Sequence, residues 1–109
     1  MTDCFLVYVT TSSRDEAREL GRTVVEERLA ACANIIGAIE SFYHWEGTLE
    51  TASECLLILK TSKLKLADLS TRLLKLHSYS CPAIVALPIQ AGAQVFLDWI
   101  RSEVELEPT

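Results

Sequence analysis

The stretch ANIIGAIESFYHWEGTLETASECLLILKT, Ala33 to Thr61, reads as two long strands, Ala33–Trp45 and Thr48–Thr61, joined at Glu46-Gly47. Ile, Phe, Tyr, Trp and Leu dominate both halves, the composition of a pleated surface covered on at least one side. A two-residue connection needs backbone with positive φ, which Gly47 supplies. Such a loop sets the register, placing Trp45 opposite Thr48, Tyr43 opposite Glu50 and Ile39 opposite Glu54. The length is the telling feature. Ala33 to Trp45 covers roughly 40 Å at the rise of an extended strand, whereas a domain of this size has a radius of gyration of roughly 13 Å and a diameter of about 34 Å. The far end of the hairpin is therefore expected to overhang its own sheet, carrying Phe42, Tyr43 and Trp45 with it. A bare hairpin is marginal in water and three rings bury much area, so a partner is expected, and a second copy is the simplest one. A closed ring of copies also pairs strand edges that would otherwise invite aggregation. The alternative is a bulge or bend at Gly37 that folds the hairpin back onto its own sheet.

The flanking sequence supplies the rest of the fold. Cys4 to Thr10 is an apolar run with the composition of a central strand. Ser13 followed by Glu16 offers a capping box, and Ala17, Leu20, Val24 and Ala31 recur at helical spacing, predicting a first helix that ends near Ala31. Ser62 is placed to cap a second helix whose Leu66, Leu69, Leu73 and Leu76 share a face. Ala83 to Ile89 predicts a fourth strand ended by Pro88, and Val95, Phe96, Trp99 and Ile100 give a closing helix its apolar stripe. The order βαββαβ plus α, with right-handed crossovers, is an α+β, ferredoxin-like sandwich of one antiparallel sheet with helices on one face.

The 109 residues suit a single domain spanning 1–109, half of them hydrophobic and 23% charged. A net charge of −5 argues against nucleic acid as a partner, because phosphate binding needs clustered Lys and Arg. The first residues, MTDCFLVYVTTSS, show no basic leader or cleavage site and too short an apolar run for a membrane span, so a cytoplasmic location is expected, with no membrane partner. Cys4, Cys32, Cys55 and Cys81 form no CxxC pair, and three of them lie in apolar runs as buried, reduced thiols would.

RLAACANIIGAIESFYHWEGTLE, SECLLILKT, HSYSCPAIVALPI and DWI, in this order and spacing, resemble the CutA divalent-cation tolerance family across nearly the whole chain. The resemblance implies a ferredoxin-like homotrimer related in fold to nitrogen-regulatory signal proteins, with hairpins crossing between subunits. It also implies binding of copper or other divalent cations, and no catalytic reaction. Two positions depart from the family pattern. His77-Ser78-Tyr79 stands where H-P-Y is usual, and Pro82-Ala83 where P-E is usual, so one expected carboxylate is missing. A hard cation would feel that loss, which moves the expected donors toward thiol and imidazole.

Cys32, the Cys of L-A-A-C, is the first metal candidate, with packing at a helix-to-strand junction as its plain alternative. His77, Tyr79 and Cys81 alternate along HSYSC, so an extended segment would aim an imidazole and a thiol to one side; equally, His77 suits a helix C-terminus. No cofactor is required by any motif beyond that copper or other divalent ion. A rival is a small-molecule or anion sensor using Lys60 and Lys63, where a strand meets a helix N-terminus, with Tyr43, Trp45, His77 and Tyr79. A third is a trimeric scaffold for a partner protein. An enzyme is not expected, because no Asp or Glu lies near His77 in sequence to orient it and His44 sits in the hairpin.

Overall fold

β1 runs from Cys4 to Thr11, and Ser13 then starts α1 (Arg14–Glu26), its hydroxyl accepting the Glu16 N–H at 3.1 Å. The returning half of the capping box is displaced by one residue: the Glu16 carboxylate takes the N–H and hydroxyl of Ser12, each at 2.9 Å. The computed structural model describes residues 2–108. β2 (Cys32–Trp45), β3 (Thr48–Ser62), α2 (Lys63–Leu76), β4 (Ile84–Pro88) and α3 (Gln94–Glu105) complete the chain, and the four strands form one antiparallel sheet in the order β2-β3-β1-β4. This is the ferredoxin-like arrangement with an added closing helix.

One helix boundary and one helix cap differ from expectation. α1 stops at Glu26 rather than near Ala31, because Arg28 adopts left-handed backbone with φ 62°. The Arg28 N–H reaches Val25 O at 3.1 Å and the Leu29 N–H reaches Val24 O at 2.9 Å, the paired bonds that close a helix with a left-handed residue. That residue is usually Gly; here the Arg28 guanidinium is held by Glu103 at 2.9 Å. Ser62 precedes α2 as expected, but its side chain makes no capping bond, and the first helical N–H, of Lys63, is taken by Asp3 O at 2.7 Å.

The hairpin turns at Glu46 (φ 51°) and Gly47 (φ 81°), and the outer register is the expected one, Trp45 with Thr48, Tyr43 with Glu50 and Ile39 with Glu54. A bulge does occur at Gly37, between Ile36 and Ile39, yet it does not fold the hairpin back. Gly37 fits there because a Cβ would lie 3.0 Å from the Arg14 guanidinium and 3.4 Å from Cys55 Sγ. β1 pairs β3 only as far as Thr11 and Cys55, so from Ile39–Glu54 outward the hairpin strands pair only with each other. The overhang stretches the molecule to 44 × 30 × 22 Å with a radius of gyration of 14.4 Å, and leaves Phe42 66% exposed.

The main core lies between the sheet and α1 and α2, where Val7, Val9, Leu57 and Leu59 meet Leu20, Val24, Leu69 and Leu73. α3 does not join this layer: Leu97, Ile100 and Val104 gather around Cys4 and Ala31, and Cys4 alternates to the side away from Val7 and Val9. On that same side the strands carry Leu6, Tyr8, Ile36, Ile58, Val85 and Leu87 as cross-strand neighbours. Ile36, Val85 and Leu87 are each about half exposed, so much of this apolar face has no cover within the chain. Among the described residues no helix is long and apolar enough to cross a membrane.

Candidate functional site

Past the end of β1 the overhanging hairpin, Thr10 and the segment leading into β4 enclose a cavity of about 660 Å³. Tyr43, Trp45 and Tyr79 line it together with Glu54, Cys81 and Ala83. Ser41 and Glu40 from the hairpin contribute as well. Glu54 is nearly buried, 7% exposed, on the strand opposite Ile39. The Tyr79 hydroxyl donates to Glu54 Oε2 at 2.7 Å, and among the described residues Oε1 takes no hydrogen bond. Burial and the Glu54 carboxylate both raise the Tyr79 phenol above its ordinary value, so it remains a donor at neutral pH.

The wall that carries Tyr79 is tied down from two sides. His77, 8% exposed at the end of α2, donates through Nε2 to Thr10 O at 2.8 Å and accepts the Tyr79 N–H through Nδ1 at 3.1 Å. These partners assign the neutral tautomer with the proton on Nε2. Its ring stands 4.8 Å from that of Tyr79. Glu16 reaches across from α1 to accept the Ser78 N–H at 2.9 Å. Burial by itself would raise the Glu16 carboxyl, but the hydrogen bonds from Ser12 and Ser78 outweigh it and hold the group at about 2. Residues 78–81 consequently bend instead of extending, so the expected alternation of His77, Tyr79 and Cys81 is replaced by a turn. Tyr79 and Cys81 face the cavity, whereas His77 is turned toward β1 as a structural clamp.

Cys32 lies elsewhere. It is half-buried at the start of β2, opposite Lys60, in the row of Leu6, while Cys81 lies beyond Thr10, about 13 Å further along the strand direction. Burial pushes its thiol up, with Lys60 pulling the other way. The Lys60 ammonium bonds to Asn34 Oδ1, and Lys63 begins α2, so neither lysine lines the cavity. Thus the structure brings Tyr43, Trp45, Tyr79 and Cys81 together and keeps Cys32, Lys60 and Lys63 apart from them. Among the described residues no three His, Cys, Asp or Glu side chains converge as a metal cage. Sequence reasoning missed Glu54, Glu40 and Glu16. Glu54 left one signal, a carboxylate set directly before the apolar run Cys55–Leu59.

Residues 5–103 match the family model for the CutA1 divalent ion tolerance protein. The chain belongs to the CutA1 family. It is 42% identical over 99 residues to the divalent-cation tolerance protein CutA of Archaeoglobus fulgidus, covering 91% of this chain and 96% of that one. It is 41% identical to the chloroplastic protein CutA of Arabidopsis thaliana over 89% of this chain, which spans only 53% of that longer relative. Among solved structures, the Cut A1 divalent cation tolerance protein of Thermus thermophilus superposes with a TM-score of 0.89 at 41% identity, covering 92% of this chain and 97% of that one. The CutA1 structure from Ehrlichia chaffeensis gives 0.91 at 30% identity, with 97% and 99% covered. In this CutA1 chain Ala83 lines the same cavity as Glu54.

Proposed function

We propose that the chain is a non-catalytic, cytoplasmic divalent-cation tolerance protein that works as a homotrimer and takes up copper or another divalent ion at sites completed between subunits. Cys32, His77 and Cys81 are the proposed donors from this chain. The carrying observation is the uncovered apolar sheet face, with Ile36, Val85 and Leu87 half exposed, next to a hairpin whose outer half pairs only with itself. Exposed apolar surface of that kind suits contact with further copies. Separate donors suit it too, since an ion held by one thiol per chain gains ligands only by symmetry. His77 would have to release Thr10 O or the Tyr79 N–H to ligate, which leaves the two thiols as the readier donors. Four free thiols fit a reducing compartment.

Native mass spectrometry with and without Cu(I), Cu(II) and Zn(II) reads subunit number and metal count together. A trimer is expected, with copper lowered more by Cys32→Ser than by Cys4→Ser or Cys55→Ser. Unchanged copper in Cys32→Ser and in a Cys81→Ser, His77→Gln double variant would remove the metal reading, and a monomer would remove the trimer.

A second reading, a small-molecule sensor, is favoured by one observation of its own: Tyr43, Trp45 and Tyr79 of the expected ligand set share a cavity of a size suited to small ligands.

A further inference from the structure

The charge of the cavity decides what it would hold. Among the described residues its walls carry two carboxylates, Glu40 and Glu54, and no Lys, Arg or His. Among the described residues Glu54 is nearly buried and forms no ion pair, its Oε2 accepts the Tyr79 hydroxyl alone, and its Oε1 accepts no hydrogen bond. A buried carboxylate without a cation is costly, and a hydroxyl donor compensates it only in part. The lysines that would have suited an anion lie outside, Lys60 on Asn34 and Lys63 at the start of α2. A bare metal ion fits poorly, since it needs several converging donors and no three His, Cys, Asp or Glu side chains gather among the described residues.

From this combination we propose that the cavity is a binding site for a small organic ammonium ion, with Glu54 as counter-ion and Tyr43, Trp45 and Tyr79 as its aromatic walls. Aromatic faces attract alkylammonium charge, and a nearly buried carboxylate in the cavity wall fixes where that charge sits. Tyr79 positions Glu54 through its hydroxyl, and the His77 and Glu16 bonds hold Tyr79 in place. The site rests on the small-molecule reading of the cavity, and Cys81, a proposed metal donor, lines the same cavity.

The probes are n-butylammonium and tetramethylammonium chloride, with sodium butyrate as the anion of matched size. Titration calorimetry is paired with the fluorescence of Trp45 in a Trp99→Phe background, and sedimentation of the same samples keeps a change of assembly from passing as binding. Saturable binding of an ammonium probe, one per chain, with no binding of butyrate, is the expected result. Glu54→Gln should weaken it about tenfold or more, and Trp45→Leu should weaken it independently should Glu54→Gln fail to fold. Binding of butyrate in place of the ammonium ions would overturn the charge assignment while leaving a small-molecule site. Absence of binding by all three probes would overturn both, as would be found if a neighbouring copy's cationic side chain already fills the cavity. Equal ammonium binding by folded Glu54→Gln would also sink the proposal.

Discussion

Replacing Glu16 by Gln tests how the cavity wall is held. In the folded chain the Glu16 carboxylate accepts the Ser12 N–H and hydroxyl on one oxygen and the Ser78 N–H on the other, with its side chain 14% exposed. Gln keeps the shape but loses the charge and offers one acceptor oxygen in place of two. The drop of the carboxyl from 4.5 to about 2 corresponds to an upper bound of roughly 3 kcal/mol. Partial contact with water reduces this to about 1 to 3 kcal/mol. Because the folded value lies below the unfolded one, this stability is fully present above about pH 4.5 and is lost as the pH falls toward 2. Urea unfolding at pH 7, 4 and 2.5, at one fixed protein concentration because assembly would shift the midpoint, should show Glu16→Gln well below wild type at pH 7 and the two converging at pH 2.5. The same variant should increase hydrogen exchange at Ser78 and Tyr79. A gap between the two proteins that is the same at every pH would refute the assignment of the low value to these hydrogen bonds.

Trp45→Ala removes a ring of the overhanging hairpin and should cost about 3 to 5 kcal/mol if that ring is packed like core in an assembly; analytical ultracentrifugation across a dilution series would then show dissociation at higher concentration than wild type, and an unaffected assembly would refute that packing. Arg28→Ala keeps the left-handed strain and loses the pair with Glu103, so it should melt with a loss of about 1 to 2 kcal/mol, whereas Arg28→Gly relieves the strain and should fall between Ala and wild type; the reverse order would discount the helix-closing role. Gly47→Ala meets no atom within 4 Å, so its cost is conformational alone, about 1 kcal/mol, read as a lower thermal midpoint; no change would mean the turn can rearrange.

The parts of the fold that were legible are those governed by local pattern. Gly47 after Glu46 fixed the turn and with it the outer pairing, and the leucines of α2 marked a face that does lie in the core. The end of α1 was illegible because the apolar spacing continues to Ala31, while the bonds that stop the helix depend on Arg28, a residue with no intrinsic taste for left-handed backbone, held from the distant α3. The same limit applies at the site. Phe42, Tyr43 and Trp45 were readable as rings in need of a partner and Tyr79 as a ligand candidate, but the role of Glu54 depends on Tyr79, a residue 25 positions away in the chain, and Glu16 is joined to Ser78 across 62. Lys60 and Lys63 looked paired along the sequence, yet a strand and a helix send them to different surroundings.

The bulge at Gly37 marks where the β2 residues on the Glu54 side of the sheet change from even-numbered to odd-numbered. Below it, the even-numbered β2 residues Cys32, Asn34 and Ile36 share a side with Lys60, Ile58 and Leu56; above it, the odd-numbered Ile39, Ser41, Tyr43 and Trp45 share that side with Glu54, Ala52, Glu50 and Thr48. Were the inner register to run on past Gly37 unshifted, Phe42 and His44 would take the places of Tyr43 and Trp45, and an imidazole would stand where an indole does now. Deleting Ala38 would remove the bulge itself and, with the turn at Glu46-Gly47 kept, leave Ile39 opposite Glu54 and Trp45 opposite Thr48. The bulge thus reconciles two registers, the inner one set by the sheet and the outer one set by the turn, and the outer one brings an indole and a phenol to the side of Glu54.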